Sequence, residues 1–118
     1  MATMDKITLS ESPDGDGIRV STLAPIDGSD TLIHTAGAGT TDLDLVTLFV
    51  YSKHTGTVTL ELKWGDSTDP IKAAVVPDAG LALLIADLPI ADGNTITASA
   101  SVVDVATIYG YVNRIDKA

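Results

Sequence analysis

Two strand patterns in the middle of the chain dominate the distribution of apolar residues. In residues 43–51, apolar side chains alternate onto both faces of an extended segment, which is typical of a central strand covered on both sides. In residues 58–64, apolar positions alternate strictly with Thr, Glu and Lys, which predicts a strand with one buried and one solvated face. With residues 53–56 between them, the two runs predict a β-hairpin, and Glu61 is expected on its solvated face.

Further short strand patterns lie on either side of this pair. They cover residues 6–10, 18–23, 31–35, 71–76, 96–102 and 106–115, with turn-favouring residues between them. Residues 81–88 are nearly all apolar and lie between Gly80 and Pro89, which favours a strand buried on both faces over a helix. Seven or eight short strands without a helical period predict an all-β fold, a single-domain antiparallel β-sandwich that is jelly-roll-like.

The last strand pattern has two different faces. Ile108 and Val112 share one face with Gly110, whereas Tyr109 and Tyr111 lie on the other. A glycine within a strand marks a bulge or a close approach of another backbone. We therefore expect tight packing at Gly110 and a tyrosine-bearing face opposite it.

The chain of 118 residues has the length of one domain, with an irregular N-terminal arm. Residues 1–30 are predicted to be that arm, with short edge strands that lie along their own domain or along a neighbour, and residues 31–118 to be the β-sandwich domain. Residues 1–20 contain four acidic residues and no apolar run, so we do not expect a secretory signal.

The charge is strongly acidic. Sixteen Asp and Glu residues outnumber seven Lys and Arg residues, for a formal net charge of −9. Such a field repels nucleic-acid phosphates, so nucleic acid is not an expected partner. No apolar segment is close to the length of about 20 residues that a helix needs to cross a bilayer, so no membrane association is expected. The absence of cysteine rules out a disulfide framework and a thiol nucleophile.

Catalytic signals are weak throughout the sequence. His34 and His54 have no second ligand at a metal-binding spacing, so both are expected at the surface or in an interface. No serine lies in a nucleophile elbow, and Gly37 and Gly39 do not form a phosphate-binding loop. We predict that the protein is not an enzyme and has no catalytic residue, metal or cofactor.

Two carboxylate pairs have a calcium-loop character. Asp14 and Asp16 alternate with glycines, and Asp66 and Asp69 lie in a turn-rich segment. The first pair lacks the terminal Glu of an EF-hand loop, so the pattern fits solvated turns better and leaves calcium binding open.

Trp64 is the single tryptophan and continues the apolar face of residues 58–62. This position favours a residue that caps the core and fixes the following loop. The alternative is a sugar-stacking platform, although aromatic residues make up only 4% of the chain.

Residues 48–60 (LFVYSKHTGTVTL), Trp64-Gly65 with the Thr68-Asp69-Pro70 loop, and residues 109–115 (YGYVNRI) carry a family resemblance. Over residues 43–115 the chain resembles small virion proteins of tailed bacteriophages, which are short acidic β proteins encoded among head genes. The resemblance implies a capsid decoration, or cement, protein on the virion surface, made in the host cytoplasm and bound to the major capsid protein. Such a role favours a homotrimer that contacts several capsid subunits at once.

The residues expected to contact the partner combine potentially cationic side chains with the two tyrosines of the last strand pattern. They are Lys53, His54, Tyr109, Tyr111 and Arg114. Two alternatives remain open: a carbohydrate- or receptor-binding module of a virion fibre, and a head–tail connector or tail component.

Overall fold

The chain passes back and forth between two β-sheets. The computed structural model describes residues 3–24, 30–39, 41–65, 69–77 and 80–116. These residues form nine strands and no helix: β1 (Thr3–Thr8), β2 (Ile18–Arg19), β3 (Thr31–Thr35), β4 (Asp42–Ser52), β5 (Val58–Trp64), β6 (Ile71–Val75), β7 (Ala82–Ala91), β8 (Thr95–Ala100) and β9 (Ala106–Asp116). With no helix in these ranges, there is none that could cross a membrane.

Two antiparallel sheets make up the sandwich. Sheet A has the order β1-β9-β4-β7, with β2 also paired to β9, and sheet B has the order β3-β8-β5-β6. With the two-residue β2 set aside, the first strand pairs with the last, the second with the last but one, and so on to β5 with β6. This nesting is the jelly roll, and the predicted all-β sandwich is confirmed.

The core lies between the sheets and contains alternate residues of both. Many of the buried side chains come from the alternations seen in the sequence, among them Val46, Leu48, Val50, Val58, Leu60, Leu62, Ile108 and Val112. These residues form one cluster, against which Trp64 packs from its margin. The predicted role of Trp64 as a cap on the core is therefore confirmed.

The predicted hairpin between residues 43 and 64 is wrong. β4 pairs with β7 and β9 in sheet A, whereas β5 pairs with β6 and β8 in sheet B. The connection at residues 53–57 therefore crosses from one sheet to the other, a gap of about 10 Å. Five residues can span that distance as well as close a hairpin, so the local sequence did not distinguish the two.

The predicted burial of residues 81–88 on both faces is also wrong. β7 is the last strand of sheet A, and Leu81 and Leu83 are exposed. The strand begins one residue later and runs to Ala91, with Ile90 as its buried residue.

The predicted exposure of Glu61 to solvent is wrong as well. Glu61 lies opposite Lys72 and Ser99 on the outer face of sheet B, but its side chain is buried.

The N-terminal arm lies along its own domain over its described residues. β1 pairs with residues 111–116 of β9 and β2 with residues 107–108, so the two short strands follow the same edge of β9 in succession. Leu9 and Val20 are buried in the core on either side of the loop between them. The arm thus supplies an edge of sheet A as well as apolar core residues.

Candidate interaction surface

The connection between β4 and β5, residues 53–57, is called the tip. Its backbone is fixed at the start, because Lys53 N donates to the Val105 carbonyl (3.0 Å) and His54 N donates to Ser52 Oγ (3.2 Å). Lys53 is exposed and His54 is half-buried. The tip therefore presents a cationic side chain from a defined backbone position.

Two depressions meet at Tyr51, the last outward-facing residue of β4. A depression of about 170 Å³ at the tip is lined by Tyr51, Ser52, Lys53, His54, Thr55 and Pro77. A shallower one of about 370 Å³ is lined by Tyr51, Leu81 and Tyr109. Tyr51 thus links a mixed polar depression to an apolar one.

The exposed apolar residues beside Tyr51 form the outer patch, which we define as Tyr51, Leu81, Leu83 and Tyr109. Their exposed fractions are 44%, 56%, 60% and 38%. The register of sheet A assembles them, since Phe49 of β4 lies opposite Leu83 of β7 on one side and Tyr109 of β9 on the other. Residues paired across strands share a face, so this row of side chains points outward together.

The ring of Tyr109 is held in place by the loop that precedes β2. A Cβ atom at Gly17 would come within 2.7 Å of Tyr109 Cζ, so the glycine backbone packs directly against the ring. Any larger residue at position 17 would displace Tyr109 from this contact. No pattern in the sequence indicated this pairing, which joins residues 92 positions apart in the chain.

Tyr111 and Arg114, the two remaining predicted contacts, lie further along β9. The Lys6 ammonium lies 4.5 Å from the centre of the Tyr111 ring, a cation–π contact on the outer face. Arg114 instead lies on the inner side, where Nε donates to Asp44 Oδ1 (2.7 Å) and Nη2 donates to Asp44 Oδ2 (3.0 Å). The structure therefore gathers Lys53, His54 and Tyr109 at one end, with Tyr111 and Arg114 apart from them.

Asp44 is the centre of a buried polar cluster. His34 Nε2 lies 2.8 Å from Asp44 Oδ2, and His34 Nδ1 accepts a hydrogen bond from Ser10 N at 3.0 Å. Because Nδ1 is the acceptor, the ring proton is on Nε2 and is donated to Asp44. Burial alone would raise the pKa of Asp44, but the hydrogen bonds from Arg114 and His34 outweigh it and leave that pKa below its ordinary value of 3.8.

The expected surface position of His34 is wrong, because its side chain is only 1% exposed. The cluster ties β3 to β4 across the sandwich and attaches the turn after β1, where Thr35 N also donates to Ser10 Oγ (2.8 Å). One signal in the sequence pointed to it. Asp44 alternates in phase with Val46 and Leu48 on the core face, and a buried carboxylate requires a cationic or hydrogen-bonding partner.

The carboxylates considered for calcium do not converge in the part of the chain that the structure describes. Asp14 and Asp16 are both exposed, and the Asp16 carbonyl accepts a hydrogen bond from Ser12 Oγ. Asp66 lies outside the described residues. Within the described ranges no group of three or more His, Cys, Asp or Glu side chains has a metal-binding arrangement.

Trp64 has an internal partner, which bears on the sugar-platform alternative. Its Nε1 donates to the Pro89 carbonyl at 3.0 Å, and its ring is half-buried against the core. The exposed tyrosines of the outer patch, rather than Trp64, provide the open aromatic surface.

Comparison of the chain with models of known protein families and with curated proteins finds no match.

Proposed function

We propose that the protein is a structural virion protein that binds the outer surface of a tailed-phage capsid and reinforces it. In this role it is a homotrimer, contacts the major capsid protein and performs no catalysis. The proposal joins the sequence resemblance over residues 43–115 to the exposed surface described above.

The observation that carries the proposal is the gathering of Lys53, His54 and Tyr109 around Tyr51. Tyr109 comes from β9, Tyr51 from the end of β4, and Lys53 and His54 from the tip, and together they surround two adjoining depressions. Tyrosine is enriched at the centres of protein interfaces because it combines a large apolar area with a hydrogen-bonding hydroxyl. A cation beside exposed aromatic rings is a suitable contact for another protein.

The jelly roll suits a reinforcing role. Its nested strand pairs join the first described strand to the last within sheet A, so both ends of the described chain are held by backbone hydrogen bonds. An oligomer that bridges neighbouring capsid subunits gains avidity, since the second contact forms at a high effective concentration. Modest individual contacts at the tip would then be sufficient for stable decoration.

The direct test is the addition of purified protein to phage heads assembled without it. We expect binding that saturates with on the order of hundreds of copies bound per head, as symmetric decoration requires. Lys53→Glu should weaken this binding, whereas Lys72→Glu, an equal charge change at another exposed lysine, should leave it unchanged. Heads that bind no protein, or a dozen copies or fewer, would contradict decoration and in the latter case favour a connector or tail component.

A carbohydrate-binding module is the second candidate, favoured by the two exposed tyrosines beside the apolar depression. Sugar rings stack on such side chains. This candidate requires glycan-array binding that Tyr109→Ala abolishes and Trp64→Phe retains. Loss of head binding in Lys53→Glu without any glycan signal would exclude it in favour of decoration.

A further inference from the structure

The outward-facing side of sheet A carries few acidic groups in a strongly acidic chain. The odd-numbered residues of β4 and β9 and the even-numbered residues of β1 face outward, as the register shows. Among these positions Lys6 alone is charged, although the whole chain has a net charge of −9. The paired outward residues of β7, Leu83, Pro89 and Ala91, are uncharged. Arg19 of β2 lies opposite the outward Thr107, and the Asp87 carboxylate lies beside the outward Thr47, so the face bears two basic groups and one acidic group.

β7 borders this face with an unprotected strand edge. On its far side, residues 82–85 have no partner strand among the described residues, and Leu81 and Leu83 beside them are exposed. Exposed apolar edges tend to pair with another chain, and proteins usually blunt them with prolines or bulges. Here Pro89 and the register shift opposite Val46 and Leu48 blunt the second half of β7, and a second shift, opposite Leu48 and Phe49, falls between Leu83 and Ile85.

The charge distribution indicates which kind of molecule binds to this surface. A basic partner would be attracted to acidic surfaces, whereas two copies with a net charge of −9 repel each other unless their contact lies where acidic groups are scarce. The outer face of sheet A meets that condition.

The size of the face is adequate for a stable contact. β1, β4, β7 and β9 have 6, 11, 10 and 11 residues, and with a rise of about 3.4 Å per residue and strands about 4.8 Å apart they cover about 600 Å². This is near the lower end of the range of roughly 600–1,000 Å² per partner in specific interfaces.

We propose that a second copy of this chain packs over the outer patch and the adjoining edge of β7 at residues 82–85. This inference deepens the homotrimer of the proposed function and rests on that part of it alone. In a trimer, the outer patches of three copies meet around the axis, and the tip beside them remains free to contact a different protein.

Sedimentation equilibrium of the intact chain over a wide concentration range tests the proposal. Leu83→Lys should raise the dissociation constant of the oligomer by about tenfold or more, as expected for a residue at the centre of an interface. Leu23→Lys is the matched control, since Leu23 is 59% exposed and Leu83 is 60% exposed, and both changes add the same charge. A monomeric parent chain, or equal weakening by the two variants, would overturn the proposal.

Amide hydrogen exchange of the unmodified chain gives a second readout that does not depend on the folding of a variant. Exchange at residues 82–85 should slow as the protein concentration increases, while exchange at the exposed strand β6 should not change. Protection that appears only with added glycan or phage heads, and not with concentration, would overturn self-association. Because head binding is measured separately, failure of this inference is distinguishable from failure of the proposed function.

Discussion

The inner and outer faces of β4 are similarly apolar in sequence but differ in the folded chain. On the inner face, Val46, Leu48 and Val50 are at most 2% exposed. On the outer face, Phe49 is half-buried and Tyr51 is exposed. In a two-layer sandwich, the other sheet covers only the inner face of each strand. An apolar outer face in the sequence therefore indicates that something covers it, but does not indicate what.

The largest expected effect lies on the inner face, at Asp44. Asp44→Ala should lower the free energy of unfolding by about 4 kcal/mol, because it leaves His34 and Arg114 without their shared anionic partner in a buried position. Urea denaturation measures the change. Glu11→Ala, at an exposed carboxylate, is the control, and an Asp44→Ala chain as stable as that control would show that the cluster is dispensable.

Leu48 and Leu83 compare the two faces directly. Leu48→Ala should lower the free energy of unfolding by about 3 kcal/mol, because it leaves a cavity in place of a fully buried side chain. Leu83→Ala, at an exposed position, should change the stability of the monomer by less than about 0.5 kcal/mol. Denaturation at low protein concentration checks both values, and equal costs would mean that the outer face is covered within one chain.

Gly110 tests how closely the strands pack on the inner side of sheet A. A Cβ atom there would overlap the Thr47 carbonyl oxygen and lie 3.0 Å from Leu48 Cδ2. Gly110→Ala should therefore lower the free energy of unfolding by about 2 kcal/mol, because the added methyl group displaces β9 from β4. Thermal unfolding monitored by circular dichroism measures it. Gly80→Ala is not a suitable control because Gly80 has a positive φ, whereas Gly56→Ala, with only ordinary contacts around its Cβ position, should be close to neutral.

The smallest expected effect is a pH dependence of the free energy of unfolding, which arises from Asp44 on the inner face. Hydrogen bonds from Arg114 and His34, acting against the opposing effect of burial, lower the pKa of Asp44 in the folded chain below 3.8. The stability from this carboxylate is therefore complete above about pH 5 and is lost as pH falls through the lowered pKa. In Asp44→Asn, the free energy of unfolding should fall less steeply between about pH 5 and pH 2. Parallel pH profiles for parent and variant would contradict a lowered pKa.

Strand positions were largely predictable because the alternation of apolar residues is a local property. Residues 31–35 were assigned correctly at both ends, and residues 71–76 and 106–115 were correct to within one residue. The tight approach expected at Gly110 is also present. The jelly-roll class followed from the number, shortness and spacing of these strands.

Part of the candidate surface was also visible in the sequence. Lys53 and His54 were identified as rare potential cations at a turn, and Tyr109 as an outward residue of the last strand. Their meeting around Tyr51 was not predictable, because it depends on the pairing of β4 with both β7 and β9. The association of Asp44 with Arg114 joins residues 70 positions apart and required the same long-range register.

By itself, the sequence determined where strands form, which side of each strand is most apolar, and that the chain is acidic and all-β. These properties arise from neighbouring residues and from composition. The tertiary structure alone decided that β4 and β5 belong to different sheets, that the apolar β7 is an edge, and that His34 is buried beside Asp44. The reason is that pairing between distant strands depends on the combined burial of the whole chain, and many local patterns are compatible with more than one partner.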